Sequence, residues 1–319
     1  MSKAKTDIEI WRYELRAGGS LNRRSGRRTV QGFLLRERGG HGCVQPWPEF
    51  GHASLDEQLA ALASGGSTPL IDAARRCAAV DRKWRMTGRS MFDGLDIPPS
   101  HATITDAEQQ AWLAWQAGFR VFKLKCEANV EQRKELDALV DAFPGVKLRL
   151  DFNEVPDAET FEDWWGKLDE AVRHHIDFLE DPFPFSEDEW KRFAERHQVR
   201  LAADRRQAVA MINGGAVVRV VKPAWGEEPF LDNSRSSREV VVTSAMDHPL
   251  GQTWAAWIAA KTAKNHPGRM ATCGLQTHHL FKADSFTKRL GTWSPRFHPP
   301  GGSGLGFDDL LANLPWKKI

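Results

Sequence analysis

The sequence predicts an α/β fold: a TIM-type barrel of parallel strands behind a small N-terminal α+β unit. Three observations carry this reading. From about Ile97 onward, short β-branched apolar runs alternate with helical stretches, the pattern of a parallel sheet covered on both faces. Eight such runs can be traced, which favours a closed barrel over an open sheet. Six of them end in ionisable residues: Lys123 and Lys125 in VFKLKC, Asp151 in LRLDFN, Glu180 in IDFLEDP, Asp204 in RLAADR, Lys222 in RVVKPAW and Asp247 in VVVTSAMD. In a parallel barrel every C-terminal strand end opens on one face, so charges far apart in the chain would converge on one site.

The elements follow in order. IEIWRYELR reads as a strand, followed by a Gly/Ser/Arg loop from Gly18 to Arg28. TVQGFLLRE is a second strand, and the Gly-Gly-His-Gly turn after it predicts a hairpin-like return. Beyond the Pro-rich VQPWPEFG, Ser54 and Glu57 form a capping-box pattern that opens a helix. A second helix covers 69–86, with Pro69 at its start. In the barrel, SHATI precedes a helix ending at Gly118, and RVFKLKC precedes the helix NVEQRKELDALVDAF. KLRLDFN precedes one long helix, DAETFEDWWGKLDEAV, and IDFLEDP precedes SEDEWKRFAERH. VRLAADR, RVVKPAW and REVVVTSAM follow, the last leading into PLGQTWAAWIAAKTA, with MATCGL as an eighth strand. The link between Asp204 and Lys222 is short and the segment after Lys222 only weakly helical. The expected division is 1–95 for the α+β unit and 96–291 for the barrel, with a tail, 292–319, that packs back on the first.

Bulk composition bounds the function. The chain has 319 residues, 41% hydrophobic and 27% charged, with 44 basic against 42 acidic side chains and a net charge of +2. That balance makes no electrostatic case for nucleic acid or an anionic membrane. The basic cluster Arg23, Arg24, Arg27 and Arg28 reads as a solvated loop or as a flap offering cations to an anionic substrate. The four cysteines show no ligand-like spacing and read as reduced thiols. No apolar N-terminal core or membrane-length run is present, so a cytoplasmic location is expected. Thirteen tryptophans beside one tyrosine read mostly as packing residues. The sequence carries no sign of oligomeric state.

The strand-end residues specify a chemistry. Asp151, Glu180 and Asp204 offer three hard oxygen ligands with no Cys or His set nearby, which suits Mg²⁺ or Mn²⁺ rather than zinc. Taken singly, each would as readily pair with a lysine at the barrel mouth. Together they are costly to assemble without a cation. Lys123 and Lys125, two apart on one strand, share a face. A neighbouring cation or partial burial would lower a lysine pKa toward that of a useful base. Lys222 lies roughly across the barrel. Two amines facing each other over a metal fit proton abstraction next to a substrate carboxylate. Arg149 shares the orientation of Asp151 and would support the site or serve as an ion-pair partner. Asn153 lies on the ligand side. Asp181 should point away and be structural. Asp247 would orient Lys222 or lie near substrate.

In this arrangement the chain resembles the enolase superfamily. KLK at 123–125 is similar to its KxK motif. RLD at 149–151, LED at 179–181 and AAD at 202–204 resemble its three metal-ligand strands, and VVKP at 220–223 its second lysine station. The resemblance implies a (β/α)7β barrel with an N-terminal α+β capping domain. Within the superfamily the chain is most similar to the o-succinylbenzoate synthase family, through TSAMDHPLGQ and SGLGFDDLL. That implies syn-dehydration of 2-succinyl-6-hydroxy-2,4-cyclohexadiene-1-carboxylate through an enediolate, in menaquinone biosynthesis. Lys125 would abstract the proton, Lys222 would set its cation against the enediolate, and Lys123 would tune Lys125. Mg²⁺ would sit on Asp151, Glu180 and Asp204. Arg205-Arg206 stand where relatives often carry Glu-Ser.

Two other readings use the same residues. An N-acylamino acid racemase or related epimerase would employ the same lysine pair, although MATCGLQTHH lacks the Asp-x-Asp that dipeptide epimerases usually carry there. A non-catalytic barrel binding a small acid would be indifferent to loss of Lys125 or Lys222.

Overall fold

The computed structural model describes residues 7–19, 21, 27–154, 157–204, 217–229 and 239–319. Arg23, Arg24, Arg205, Arg206, the link 205–216 and the segment 230–238 lie outside the described residues.

Ile8–Arg16 (β1), Thr29–Glu37 (β2) and Gly40–Val44 (β3) form an antiparallel meander. Alternation sorts β1: Ile8, Ile10, Tyr13 and Leu15 are buried. The turn into β3 places Arg38 and Gly39 at positive φ, +53° and +83°, the two-residue geometry that suits the twist of a hairpin. Helix α1 (Leu55–Ala63) opens on the expected Ser54/Glu57 capping box. Helix α2 (Pro69–Arg85) begins at Pro69, with Thr68 accepting from the Ile71 amide. It lies directly on β3, because a Cβ at Gly42 would stand 2.1 Å from the Ala74 carbonyl oxygen.

The second sheet has seven parallel strands in sequence order: Ala102–Ile104 (β4), Val121–Lys125 (β5), Lys147–Asp151 (β6), Ile176–Glu180 (β7), Leu201–Ala203 (β8), Val217–Val221 (β9) and Val240–Val242 (β10). Residues 270–275 close it, but as isolated parallel bridges rather than a ladder. Met270 and Gly274 bridge to Val240 and Thr243 on one side, and Cys273 to Ser100 on the other. The expected continuous eighth strand is interrupted where the Thr272 carbonyl accepts from the Arg149 guanidinium at 2.6 Å. The parallel sheet with its antiparallel companion is the barrel-plus-cap architecture expected from the sequence.

Ala107–Gln116 (α3), Val130–Ala142 (α4), Ala158–Gly166 (α5), Glu170–His175 (α6), Glu187–His197 (α7) and Pro249–Asn265 (α8) follow the strands. The long helix expected over 157–172 is two. The first ends at Gly166, and Asp169 caps a second by accepting from the Ala171 amide. Inside the barrel, Phe178, Ala202, Val218, Val220 and Val241 form an apolar floor. Outside, Phe122, Leu148, Leu150 and Leu179 pack beneath the aromatic helix faces of Trp164, Trp165 and Phe193. Each such large apolar side chain contributes roughly 1.5–3 kcal/mol on burial.

The antiparallel sheet docks on the barrel through a shared core that includes Tyr13, Leu34, Trp47, Leu250 and Trp254. Near the C-terminus, Lys317–Lys318 pair with β1. Buried Asp81 accepts from the His41 and Leu305 amides and from Arg85, so it ties β3, α2 and residue 305 together. All four cysteines are buried thiols. Among the described residues no helix is long and apolar enough to cross a membrane.

Candidate active site at the barrel mouth

Strand register assembles the charges. Lys125 aligns with Asp151, and Asp151 with Glu180, on three adjacent strands. Both lysines of β5 face the lumen, as their two-residue spacing requires. The Lys123 ammonium lies 2.6 Å from Glu180 Oε1 and 2.9 Å from Asp151 Oδ2. Lys125 donates to the same Asp151 oxygen. Asn153, on the expected side, donates to Asp151 Oδ1 at 2.8 Å. Lys222, just beyond β9, pairs with Asp204, which follows β8. The expected lysines and carboxylates therefore meet in one place.

A cavity of about 540 Å³ opens above them, lined by Lys123, Lys125, Asp204 and Lys222 among others. Asp151 and Glu180 lie behind the lysines, 1% and 2% exposed. Among the described residues, no three acidic, histidine or cysteine side chains are already gathered as ligands around a common point. Lys123 supplies the positive charge between Asp151 and Glu180 instead. The carboxylates feel one another: burial, then Asp151, then Asp204 push the Glu180 pKa up to about 7, against the pull of Lys123. A buried, mutually repelling set of hard oxygens, with an ammonium standing among them, has the donor chemistry of a divalent-cation site.

The expected lowering of a lysine pKa does not hold at Lys123. Burial alone would lower the Lys123 pKa, but Asp151, Glu180 and Asp204 more than offset it and raise it. Lys222 is likewise raised: burial lowers it, and Asp204 and Glu180 outweigh that and the opposing Lys123. Carboxylates at bonding distance outweigh both desolvation and the neighbouring cation.

Two further assignments change. Asp181 does not point away. Its φ of +44° turns the chain at the end of β7, and the side chain lines the cavity. Its pKa is raised well above normal by burial and then by Asp204, Glu180 and Asp151. Asp247 neither reaches Lys222 nor lines the cavity. β10 ends at Val242, and Asp247 is fully buried in the turn before α8, so close that a Cβ at Gly251 would stand 2.1 Å from its Oδ2. Arg149 faces the lumen, and of its two readings the structure bears out the ion-pair partner. It donates to Asp177 at 2.8 Å and contacts His101 Nδ1 at 2.9 Å.

Sequence reasoning missed several residues of the cavity wall. Trp47 and Trp225 line it, and the Lys222 ammonium sits 4.7 Å from the Trp225 ring centroid. Trp47 donates its indole N–H to the Ala245 carbonyl at 3.1 Å. His101 and Thr103, in SHATI, and Thr243, Ser244 and Thr277 add to the polar lining. The alternation of SHATI was the available signal for the first pair. Arg27 of the basic loop reaches Glu49, a cavity residue, at 3.5 Å.

Comparison with known proteins decides the family. The model described as enolase C-terminal domain-like matches residues 106–308. The chain belongs to the enolase superfamily. It is an enzyme, in a superfamily whose enzymes bind small carboxylate substrates. The model for the O-succinylbenzoate synthase N-terminal domain matches residues 8–84. A relative from Bdellovibrio bacteriovorus, named o-succinylbenzoate synthase, is 29% identical over 96% of this chain and 97% of its own. Among solved structures, this superfamily member is similar to o-succinylbenzoate synthase from Thermosynechococcus elongatus, complexed with magnesium in its active site. The TM-score is 0.62 at 23% identity, covering 86% of this chain and 94% of that one. It is also similar to a dipeptide epimerase from Enterococcus faecalis complexed with magnesium and a dipeptide. There the TM-score is 0.76 at 15% identity, covering 95% of this chain and 98% of that one. These two likenesses concern the fold.

Proposed function

We propose that this enzyme is an o-succinylbenzoate synthase, dehydrating 2-succinyl-6-hydroxy-2,4-cyclohexadiene-1-carboxylate in menaquinone biosynthesis. The observation that carries the proposal is the amine arrangement: Lys123 and Lys125 on β5 and Lys222 beyond β9, on different sides of one cavity and all paired with carboxylates. The near full-length likeness to a relative of that name supports this reading ahead of epimerisation. Residues 1–95 would be the capping domain, 96–291 the barrel, and 292–319 a tail returning to the cap. The pairing of Lys317–Lys318 with β1 supports that division.

Asp151, Glu180 and Asp204 would hold a divalent cation, Mg²⁺ by the chemistry of the donors. When bound, it supplies Lewis-acid stabilisation of negative charge on the substrate carboxylate. Lys125 takes the proton next to that carboxylate, and its ammonium then returns a proton to the departing hydroxide on the same face. Lys222 places positive charge beside the enediolate from across the cavity. Lys123 holds the local charge balance against which Lys125 titrates. Trp47 and Trp225 exclude water from the cavity wall.

A spectrophotometric assay of cyclohexadiene loss tests this, run with Mg²⁺, with chelator, and with Lys125→Ala. Metal-dependent loss of the diene absorbance, absent in the variant, is expected. Exchange of the α-hydrogen of an N-succinylamino acid in D₂O without dehydration would move the assignment to a racemase.

A further inference from the structure

We infer that His101 is a substrate-binding residue, whose Nε2–H donates a hydrogen bond to an oxygen on the part of the substrate remote from the carboxylate cluster. The inference rests on the reading of the cavity as the site for an organic acid with a second oxygen-bearing arm.

His101 stands at the foot of β4 and is 2% exposed. Its backbone amide donates to the Cys273 carbonyl at 2.7 Å, which fixes the chain where the barrel closes. Arg149 determines the ring's state. A guanidinium has only donors, so at 2.9 Å the His101 Nδ1 must accept from it. A neutral imidazole whose Nδ1 accepts carries its proton on Nε2. Burial, then the positive charges of Arg149 and Lys123, hold the ring well toward the neutral form.

The Nε2 edge packs closely beside Gly274, where a Cβ would stand 2.7 Å from Nε2 and 2.8 Å from Cε1, so a larger residue there would crowd the ring. Both His101 and Gly274 line the cavity. Among the described residues, Nε2 has no hydrogen-bond partner. Strand order sets the distance from the chemistry. His101 precedes the first barrel strand and Gly274 lies on the closing segment, whereas Glu180 and Asp204 end the fourth and fifth strands, on the opposite side. A substrate held by one carboxylate near Asp204 and Lys222 would thus present its far arm to His101. A neutral donor there recognises a ketone or carboxylate oxygen without adding a charge to the barrel floor. Arg149 acts through His101 as a positioning residue.

The test is titration calorimetry of the Mg²⁺-loaded enzyme with o-succinylbenzoate, using His101→Asn and His101→Gln. Asparagine places its amide oxygen near the position of Nδ1, so Arg149 keeps an acceptor while the Nε2–H is lost. Glutamine places an amide N–H near the position of Nε2. About tenfold weaker binding is expected for His101→Asn, with an unchanged unfolding midpoint, and most of the loss should be recovered in His101→Gln. A ¹⁵N spectrum of the wild-type ring should show Nε2 protonated and Nδ1 bare at pH 7, with the Nε2–H signal moving on ligand addition. Wild-type affinity in His101→Asn, or a proton on Nδ1, would overturn the inference while leaving the proposed reaction standing. A wild-type enzyme that binds no o-succinylbenzoate would instead overturn the proposed reaction, and with it this role for His101.

Discussion

Gln45 donates its side-chain amide to the Met246 carbonyl at 2.9 Å, across the junction between the antiparallel sheet and the barrel. The same side chain accepts from the Tyr13 hydroxyl at 3.1 Å and is 4% exposed. Met246, at φ +51°, lines the cavity with Ala245, whose carbonyl is held by Trp47. The N-terminal unit therefore fixes part of the cavity wall as well as covering it. Gln45→Leu would leave the part-buried Met246 carbonyl without this donor and the buried Tyr13 hydroxyl without its amide acceptor, Cys43 Sγ at 3.2 Å remaining beside it. Stability should fall by about 2 kcal/mol or more, and KM should rise more than kcat falls, because the wall moves while the amines stay. Urea unfolding and steady-state kinetics check both; unchanged KM would confine Gln45 to stability.

The site was legible because parallel-strand geometry converts sequence position into location. Lys123, Lys125, Asp151, Glu180, Asp204 and Lys222 each end an apolar run, and the strands deliver them to one mouth. The inference failed where a strand ended early. Asp247 lies five residues past Val242, and by then the chain has turned into the buried junction. It failed again at Asp181, where a left-handed residue broke the two-residue alternation that predicted an outward side chain. Lysine basicity was not legible either, because its sign depends on ångström-scale distances to carboxylates on other strands. The eighth strand was found in place, but its ladder is interrupted by Arg149, which no local pattern announces.

Lys125→Ala should abolish turnover without unfolding the protein. Asp151 keeps Lys123 at 2.9 Å and Asn153 at 2.8 Å, so its buried carboxylate stays compensated. Loss of a general base of this kind lowers kcat by about 10²–10⁴-fold. Circular dichroism together with single-turnover kinetics separates the two effects. Lys222→Ala should be less stable than Lys125→Ala, since it removes the ammonium paired with Asp204. Retained turnover in both variants would overturn these roles for Lys125 and Lys222.

Cation binding should be visible without any substrate. An ion held by Asp151, Glu180 and Asp204 stabilises the folded state by mass action, by about 2.7 kcal/mol at a hundredfold excess over Kd. The unfolding temperature should therefore rise with Mg²⁺ and return on chelation. Asp204→Asn should flatten that response, because it removes one anionic ligand without changing side-chain size. A Mg²⁺-independent unfolding temperature together with chelator-resistant activity would argue against a metal at these three residues.

The stability of the protein should carry a pH signature from Asp247. Neither carboxylate oxygen makes a hydrogen bond among the described residues. Burial raises its pKa to about 7, with the nearby Asp247 and Ala245 amides pulling only partly the other way. Tyr13 and Cys43, the titratable groups facing it from the antiparallel sheet, are themselves raised, mainly by burial, and stay neutral through this range. The folded protein thus holds a proton that the unfolded chain releases near pH 3.9. That contribution is fully present below about pH 4 and is lost as pH rises through about 7. Asp247→Asn keeps the site neutral at every pH. Its stability relative to wild type should therefore grow from pH 4.5 to pH 8, toward an upper bound on the order of 4 kcal/mol. His248, lowered to about 3 chiefly by burial, titrates in both proteins and cancels from the difference. Urea unfolding of the pair at three pH values decides the matter. A constant difference would mean that Asp247 titrates alike in the folded and unfolded chains, so that its burial carries no linked proton.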